Sequence, residues 1–455
     1  MLVIISDLHL GDGSTASSIP ANAFHLFSNR LRETAYFASF RENGRYRPVE
    51  DIDLLLMGDI IDPLHSTLWL DTEENSAAYT RPWTSSSAPP FASKLAQTTQ
   101  AVIDGNKESL ETLRRIAGGE AVSIPPANER GEPYHDTKER ISIKVRLHYT
   151  VGNHDWYYHL QGPAMNEIRR TLINSMGLSS PPDLFPYDLN EYPPLREILE
   201  RYKVFCRHGD YFDRFNFNAK EGRDHSALGD VFTMEVLNRY PVAVQERFGD
   251  RLPKSLIDSL RRLTNVRPAL ATPLWISGQL KRHAGSAALE SELKKVWDDI
   301  CDAFLQLPVV RAQDRPFVLD TVDAMKIAIK IAKGTSFETL NDLVLWIRSK
   351  VSNGERSFAE HALDEPAIIN KTARYVVYGH THHHEVISLD ADGEPSDPQS
   401  QLYINTGTWH SYFDLAVKDP RQQKFIPYQK LTYLTFYKDG ERQGSQFETW
   451  SGTYA

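Results

Sequence analysis

The 455-residue sequence predicts an α/β fold that is interrupted by a large, mostly helical insertion. Three observations lead to this prediction. Short β-branched apolar runs recur along the chain, and each ends in a polar, glycine-rich loop. Helical patterns lie between the first of these runs. A long interval with helical periodicity then separates the fourth run from the fifth.

Six runs have the length and composition of buried strands, and each is followed directly by polar residues. Functional groups of α/β proteins gather beyond the carboxyl ends of their strands. Six strands that are all followed by polar residues at the same end therefore indicate a functional site. The runs are Leu2–Ser6, Ile52–Met57, Ile143–Val151, Val204–Cys206, Tyr375–Tyr378 and Leu402–Ile404.

The segments between the runs set the expected domain boundaries. Ala21–Phe40 and Gln97–Ile116 have the pattern of crossover helices. Residues 71–92 and Pro125–Lys138 are rich in turn-forming residues, so residues from about 64 to 140 are expected to form a surface excursion. We expect the first part of the core at 1–215, the helical insertion or cap at 216–370, and the second part of the core at 371–455.

Apolar residues at helical spacing mark three faces within the insertion. They are more typical of a cap core than of a lipid pocket. The first face comprises Leu289, Leu293, Val296, Trp297, Ile300 and Phe304. The second comprises Val322, Met325, Ile329 and Ile331, and the third Leu343, Leu345, Trp346 and Ile347.

Composition narrows the class of protein. The formal net charge is −9, and no run of five basic residues occurs, which argues against nucleic acid as the partner. The two cysteines, Cys206 and Cys301, cannot form a disulfide framework and fit a reducing, cytoplasmic compartment. The N-terminus has no signal-peptide pattern, and no stretch approaches the roughly 18 apolar residues of a transmembrane segment.

The loops after the runs contain the side chains that carry chemistry. Asp7-Leu8-His9 and His380-Thr381-His382 each place two ligand side chains on one side of an extended segment. Aspartate, asparagine and histidine suit Mn, Fe or Zn. A carboxylate at a strand end, such as Asp59, could bridge two cations. The informative residues are Asp7, His9, Asp59, Asn153, His154, His208, His380 and His382.

The motifs D-x-H, G-D-x-x-D, G-N-H-D, H-G-D and G-H-x-H occur in this order at Asp7–His9, Gly58–Asp62, Gly152–Asp155, His208–Asp210 and Gly379–His382. This set resembles the calcineurin-like metallophosphoesterases. The likeness covers roughly 1–215 and 370–455 and leaves out the insertion. It implies a four-layer α/β/β/α sandwich with a dinuclear metal centre at its edge.

The resemblance also implies individual roles. Asp7, His9 and His382 would hold the first metal ion, and Asn153, His208 and His380 would hold the second. Asp59 would bridge the two. His154 would be the catalytic histidine and Asp155 would orient it. Two divalent ions are implied, with Mn²⁺ expected and Fe or Zn as alternatives.

Some neighbouring residues leave two interpretations open. Asp62 either serves the site from behind the ligands or caps a turn. His383 and His384 are expected to face solvent or to support the ligands. Trp156, Tyr157 and Tyr158 either line a substrate pocket or pack beneath the loop. Arg214 either meets a substrate phosphate or lies at the surface.

The implied activity is hydrolysis of a small-molecule phosphodiester, pyrophosphate or phosphomonoester by a metal-activated hydroxide. The substrate-binding residues are unknown at this stage. A nuclease on the same core and a non-catalytic scaffold are the alternatives. The H-G-D around His208 and the following insertion also resemble the UDP-diacylglucosamine pyrophosphatase branch. That branch commonly has arginine at the position of His154, and its insertion is shorter.

Overall fold

The computed structural model describes residues 1–15, 18–72, 76, 78–267, 271–283, 286–313, 329, 356–392, 399–416, 418, 422 and 424–453. Within these ranges the chain is a mixed α/β protein, as the sequence predicts. Each of the six predicted runs forms a strand, with ends that differ from the prediction by a few residues at most.

The larger sheet is built around the N-terminal strand. In the described part of the chain its strand order is β5-β2-β1-β12-β11-β7, and β13 pairs with β12. Strands β5, β2 and β1 run parallel, so their carboxyl ends lie at one edge. The strands are β1 (Leu2–Ile5), β2 (Asp51–Met57), β5 (Lys144–Thr150), β7 (Val266–Arg267), β11 (Ser411–Leu415), β12 (Phe425–Phe436) and β13 (Phe447–Thr453).

The second sheet has the strand order β6-β8-β10-β9. Its first three strands are parallel, whereas β9 runs antiparallel to β10. A separate hairpin joins β3 (Ser123–Ile124) to β4 (Ile141–Ser142). The strands of the second sheet are β6 (Val204–Cys206), β8 (Tyr375–Tyr378), β9 (His384–Asp392) and β10 (Gln399–Thr406).

The two sheets pack face to face through one apolar cluster. Leu2 and Ile4 of β1 contribute from the larger sheet, and Val377 and Ile404 contribute from the smaller one. Alternate residues of a strand point to opposite faces, so Val3 and Ile5 point the other way. They belong to a second cluster that is shared with the helices.

Helices cover the outer face of the larger sheet. They are α1 (Ala21–Ala38), α2 (Pro89–Gly105), α3 (Lys107–Ala117) and α4 (Pro163–Met176). The predicted single helix over Gln97–Ile116 is wrong, because the chain breaks at Asn106 into α2 and α3. The Asn106 Nδ2 atom donates to the carbonyls of Gly11 and Val102, both at 2.7 Å, and ties this break to the loop after β1.

The predicted surface excursion from about 64 to 140 needs correction. Trp69, Phe91 and Leu95 are fully buried in the main apolar cluster, because α2 packs on the sheet and covers the loop that follows β2. Much of Pro125–Lys138 does form exposed loop and turn structure, as predicted.

The insertion is helical over much of its described length, and it has an apolar cluster of its own. Five of the six residues on the first predicted face are buried; Leu289 is partly buried and packs on them. Ile329 is also buried, whereas Val322, Met325, Ile331 and the third predicted face lie outside the described residues. The described helices of the insertion are α6 (Leu228–Phe232), a π-helix (Thr233–Asn238), α7 (Arg239–Phe248), α8 (Lys254–Leu260), α9 (Thr272–His283), α10 (Ala287–Gln306) and α11 (Pro308–Gln313).

The insertion is not a separate body, because β7 joins the larger sheet beside β11. On the smaller sheet, α12 (Phe358–Ala362) and α13 (Pro366–Ile369) cover the outer face, while α5 (Pro193–Glu200) packs at the interface between the sheets. Among the described helices, none combines the length and the apolar character that crossing a membrane requires.

Candidate metal centre

All seven predicted metal ligands lie at the carboxyl ends of neighbouring strands. The loops after β1, β2, β5, β6 and β8 each contribute at least one of them. Their donor atoms include two compact groups that could hold metal ions: Asp7 with His9 and His382, and Asp59 with His208 and His380.

The first group brings two imidazoles together inside the protein. His9 Nε2 lies 3.0 Å from His382 Nε2, and the same His382 atom lies 3.4 Å from Asp7 Oδ1. Both histidines and Asp7 are buried. A hydrogen bond between these two neutral imidazoles uses the proton of one nitrogen and the lone pair of the other. Without that proton, the lone pairs of both nitrogens can point at a common cation. The geometry fits a metal site.

The second group has an amide oxygen as its fourth donor. Asn153 Oδ1 lies 3.0 Å from His380 Nδ1, and Asp59 Oδ2 lies 3.1 Å from His208 Nε2. Despite this proximity, His208 Nε2 is buried without a hydrogen bond of good geometry to any described residue. A buried polar atom without a hydrogen bond is costly, and a bound cation would remove that cost.

Asp59 lies between the two groups. Its Oδ2 atom faces His208 Nε2 at 3.1 Å and His9 Nε2 at 3.8 Å, while its Oδ1 atom accepts a hydrogen bond from the backbone N–H of His154 at 2.8 Å. One carboxylate oxygen therefore faces both groups. The oxygen and nitrogen donors suit Mn, Fe or Zn.

The second nitrogen of three ligand histidines contacts a hydrogen-bond acceptor. His9 Nδ1 lies 2.8 Å from Asp62 Oδ2, and His208 Nδ1 lies 3.2 Å from the Met57 carbonyl. His380 Nε2 lies 3.0 Å from Asp213 Oδ2. Such outer partners fix the tautomer and the ring orientation of a metal-binding histidine. Each ring thereby directs its remaining nitrogen toward its group.

Backbone strain is concentrated in the ligand residues. Nine non-glycine residues of the described part have positive φ, and five of them are predicted ligands: Asp7, His9, Asp59, His380 and His382. The left-handed conformation costs a non-glycine residue about 1–2 kcal/mol. Strain of this kind persists where the surrounding structure enforces it, and it is typical of functional sites.

Three motif glycines lie directly against the ligands, and a Cβ atom on the first of them, Gly58, would lie 2.5 Å from His208 Nδ1. A Cβ atom on Gly152 would lie 2.4 Å from Asp59 Oδ1, and one on Gly379 would lie 2.5 Å from Asp7 Oδ2. Any larger residue at Gly152 or Gly379 would displace a carboxylate. The glycines of G-N-H-D and G-H-x-H are therefore required by close approach to the site.

His154 lies beside the two groups, and its partner differs from the prediction. Its Nδ1 atom is 3.0 Å from Asp62 Oδ2, so Asp62 rather than Asp155 orients the ring. Asp155 points back into the loop, where it accepts from Tyr149 Oη, Gly152 N and Ile60 N at 2.6, 2.6 and 2.9 Å. These three hydrogen bonds hold the Asp155 carboxylate within the loop. Asp155 is therefore not the residue that orients His154.

Electrostatics keep His154 protonated at neutral pH. Burial lowers the pKa of an imidazole, but the carboxylates of Asp62 and Asp59 outweigh it and raise the pKa of His154 to about 9. Burial also opposes the charge on His208, but the carboxylates of Asp59 and Asp7 outweigh it. They raise the pKa of His208 to about 10. A metal ion held by His208 would have to displace this proton, which would couple its binding to pH.

Three residues of the site were missed or left open by sequence analysis. Asp62 is fully buried and does both: its Oδ1 atom accepts from the backbone N–H of His65 in a turn, and its Oδ2 atom contacts the rings of His9 and His154. His65 and Asp213 were not predicted. Each follows a motif by three residues, at G-D-x-x-D and H-G-D respectively, and that proximity is the available sequence signal.

The other residues with two open interpretations differ in their burial. Trp156, Tyr157 and Tyr158 are buried and pack beneath the loop, with Trp156 Nε1 donating to Asp230 Oδ2 at 3.1 Å. Arg214 is exposed. His383 is exposed, while His384 is half-buried and donates from Nδ1 to the Asn405 carbonyl at 2.7 Å.

The insertion approaches the centre from one side. Asn265 Oδ1 accepts a hydrogen bond from His410 Nε2 at 3.0 Å, and the His410 ring centroid lies 5.3 Å from that of His9. Arg223, which also belongs to the insertion, donates to the Gly152 carbonyl at 3.1 Å. The insertion is therefore in direct contact with the loops that carry the ligands.

No protein-family model matches this chain, and no match to it is found among the curated proteins.

Proposed function

We propose that this protein is a metal-dependent phosphoesterase of the calcineurin-like type, acting on a small-molecule phosphodiester, pyrophosphate or phosphomonoester. One observation carries the proposal. The Asp59 carboxylate lies between two groups of buried donors, each of which fits one divalent cation. Paired sites of this kind recur in enzymes that displace an oxygen at phosphorus.

The layer order supports the same proposal. Helices, the larger sheet, the smaller sheet and further helices pack in succession. We interpret these layers as the four-layer α/β/β/α sandwich of the metallophosphoesterases, with the helical insertion placed between β6 and β8.

Two cations held by these groups would supply a hydroxide nucleophile at neutral pH and would offset charge on the phosphoryl oxygens. The protein's own contribution is orientation and proton transfer. Asp62 and Asp59 raise the pKa of His154, which favours its protonated form, and in that form it can donate a proton to the leaving oxygen or a hydrogen bond to a phosphoryl oxygen. Asp62 holds that ring through Nδ1 and leaves Nε2 for the substrate.

The insertion favours a small substrate over a large one. Asn265 contacts His410, whose ring lies beside His9, and Arg223 contacts the loop that carries Asn153, so the insertion would restrict the approach to the centre. The overall charge of −9 does not favour a polyanionic nucleic acid. We therefore favour the small-molecule phosphoesterase over the nuclease and over the non-catalytic scaffold.

The test is hydrolysis by the full-length chain after removal of metal and addition of Mn²⁺. Bis-p-nitrophenyl phosphate and p-nitrophenyl phosphate are compared under the same conditions. Turnover that returns with Mn²⁺ is expected, and preference for the first compound would indicate diester or anhydride chemistry. Absence of both turnover and bound metal would contradict the proposal.

A further inference from the structure

One carboxylate oxygen next to the ligand groups is shared by three imidazoles. Asp62 Oδ2 lies 2.8 Å from His9 Nδ1, 2.8 Å from His65 Nδ1 and 3.0 Å from His154 Nδ1. Asp62 itself is fully buried, and its backbone N–H donates to the Leu10 carbonyl at 2.9 Å. The orientation of this one carboxylate therefore governs three rings.

His65 holds that carboxylate at both oxygens. Its ring approaches Oδ2, and its backbone N–H donates to Oδ1 at 3.2 Å. His9 and His154 approach Oδ2 alone. His65 is therefore the residue best placed to prevent rotation of the Asp62 carboxylate about its Cβ–Cγ bond.

His65 is itself fixed by the core and by the insertion. Thr15 Oγ1 donates to the His65 carbonyl at 2.8 Å, and Asn238 Nδ2 of the π-helix donates to the Leu64 carbonyl at 2.9 Å. The His65 side chain is buried, and its ring centroid lies 5.0 Å from that of His154. The ring has a defined position before any ligand binds.

Three imidazoles and a carboxylate are also a donor set that zinc accepts. Here that interpretation fails on His9, whose Nε2 already faces His382 and Asp7 in the first group. A cation beside Asp62 would force one imidazole to hold two cations. Hydrogen bonding to the carboxylate needs no such arrangement.

We propose that His65 is a positioning residue for His154, acting through the Asp62 carboxylate that both rings contact. The inference rests on the proposed phosphoesterase function. His65 locks Asp62, Asp62 sets the angle of the His154 ring, and His154 then meets the leaving oxygen.

The experiment compares His65→Leu, which removes the ring donor, with His65→Asn, whose side-chain N–H can replace Nδ1–H. We expect His65→Leu to bind as much Mn²⁺ as the wild type, to keep KM within about twofold, and to lose about 10–100-fold in kcat. The loss should be larger for an alkyl phosphate ester than for bis-p-nitrophenyl phosphate, because the poorer leaving group needs the proton more. His65→Asn should recover most of the rate.

The matched control is His148→Leu. His148 and Asp53 form another buried pair, with Nε2 and Oδ1 2.9 Å apart. Asp53 lies four residues before the end of β2 at Met57, roughly 13 Å from that end at the rise of a strand, whereas Asp59 lies in the loop beyond it. This variant should lose stability and keep kcat.

If His65→Leu is unfolded, His65→Asn is compared with His65→Ser, whose hydroxyl is too short to reach Asp62.

A second readout does not need turnover. In protein labelled with ¹⁵N-histidine, the His154 Nδ1 resonance should move in His65→Leu and stay in place in His148→Leu. An unchanged resonance with unchanged kcat would overturn the proposal, and so would loss of bound metal in His65→Leu. If the wild type shows no metal-dependent hydrolysis, the proposed function fails, and the His154 resonance still decides the role of His65.

Discussion

Asp59 Oδ2 and His208 Nε2 lie 3.1 Å apart in the interior, on loops that follow two different strands. The same oxygen lies 3.8 Å from His9 Nε2. A single carboxylate is thus shared between the two donor groups, and it offsets the repulsion that two neighbouring cations would exert on each other.

Replacement of Asp59 by asparagine should remove metal and activity together. The amide keeps the shape of the side chain and loses the charge that holds two cations. Bound metal measured by mass spectrometry after dialysis should fall from two ions per chain to one or fewer. Asp104→Asn, an exposed carboxylate on α2, is the control and should keep both ions. Full occupancy in Asp59→Asn would disprove the bridging role.

Replacement of His154 by alanine should separate rate from metal binding. The ring contacts Asp62 and lies outside the two ligand groups, so both metal ions should remain. Loss of a proton donor typically lowers kcat by about 10²–10⁴-fold. Asp62→Asn should lower kcat in the same direction, whereas Asp155→Asn should mainly lower the unfolding temperature. Steady-state kinetics measures kcat of the three variants, and calorimetry measures their unfolding temperatures.

Replacement of Gly152 by alanine should damage the site through sterics alone. The added Cβ would lie 2.4 Å from Asp59 Oδ1 and 2.6 Å from His208 Cδ2, so both ligands must shift. Overpacking of this kind costs about 1–3 kcal/mol of stability. Metal affinity, measured by titration calorimetry, should fall as well. Gly11→Ala is the control, since nothing lies within 4 Å of its added Cβ atom.

His159 should make stability depend on pH away from the metal centre. Its ring lies between Asp224 Oδ1 at 2.5 Å and Glu191 Oε1 at 3.2 Å. Burial opposes the charge, but these carboxylates raise the pKa of His159 to about 9. The folded pKa exceeds the unfolded value of about 6.5, so the stabilisation is complete below about pH 6.5 and disappears as pH rises through 9.

The measurement is urea unfolding of the wild type and His159→Gln in the same metal-free buffer at pH 6 and pH 10. Asp224 is 41% exposed, so solvent screening limits the difference at pH 6 to about 1 kcal/mol. At pH 10 the two proteins should differ less. An equal difference at both pH values would show that the charge of His159 does not stabilise the fold.

The fold class and the convergence of the candidate ligands could be predicted because their signals are local. Asp7 and His9 follow a β-branched run directly, and the same holds for Asp59 and for His380 and His382. A strand has a fixed direction, and the carboxyl ends of parallel strands meet at one edge. The spacing of a motif from its strand is therefore enough to predict that these side chains converge.

The partners of those residues depended on the tertiary structure. Asp155 is adjacent to His154 in sequence, yet Asp62 orients the ring, because the turn after β5 directs Asp155 toward Tyr149 and two backbone N–H groups. The His65 ring lies 5.0 Å from that of His154, and Asp213 contacts His380; both contacts join loops that are distant in the chain. Spacing along the chain cannot encode which loops lie side by side.

The sequence by itself determined the strands, the loops and the residue types that a metal centre requires. Only the tertiary structure decided how the insertion meets that centre, through the pairing of β7 with β11 and the contact of Asn265 with His410. The physical reason is that strand formation depends on neighbouring residues, whereas the pairing of two hydrogen-bonding groups depends on packing between segments more than a hundred residues apart.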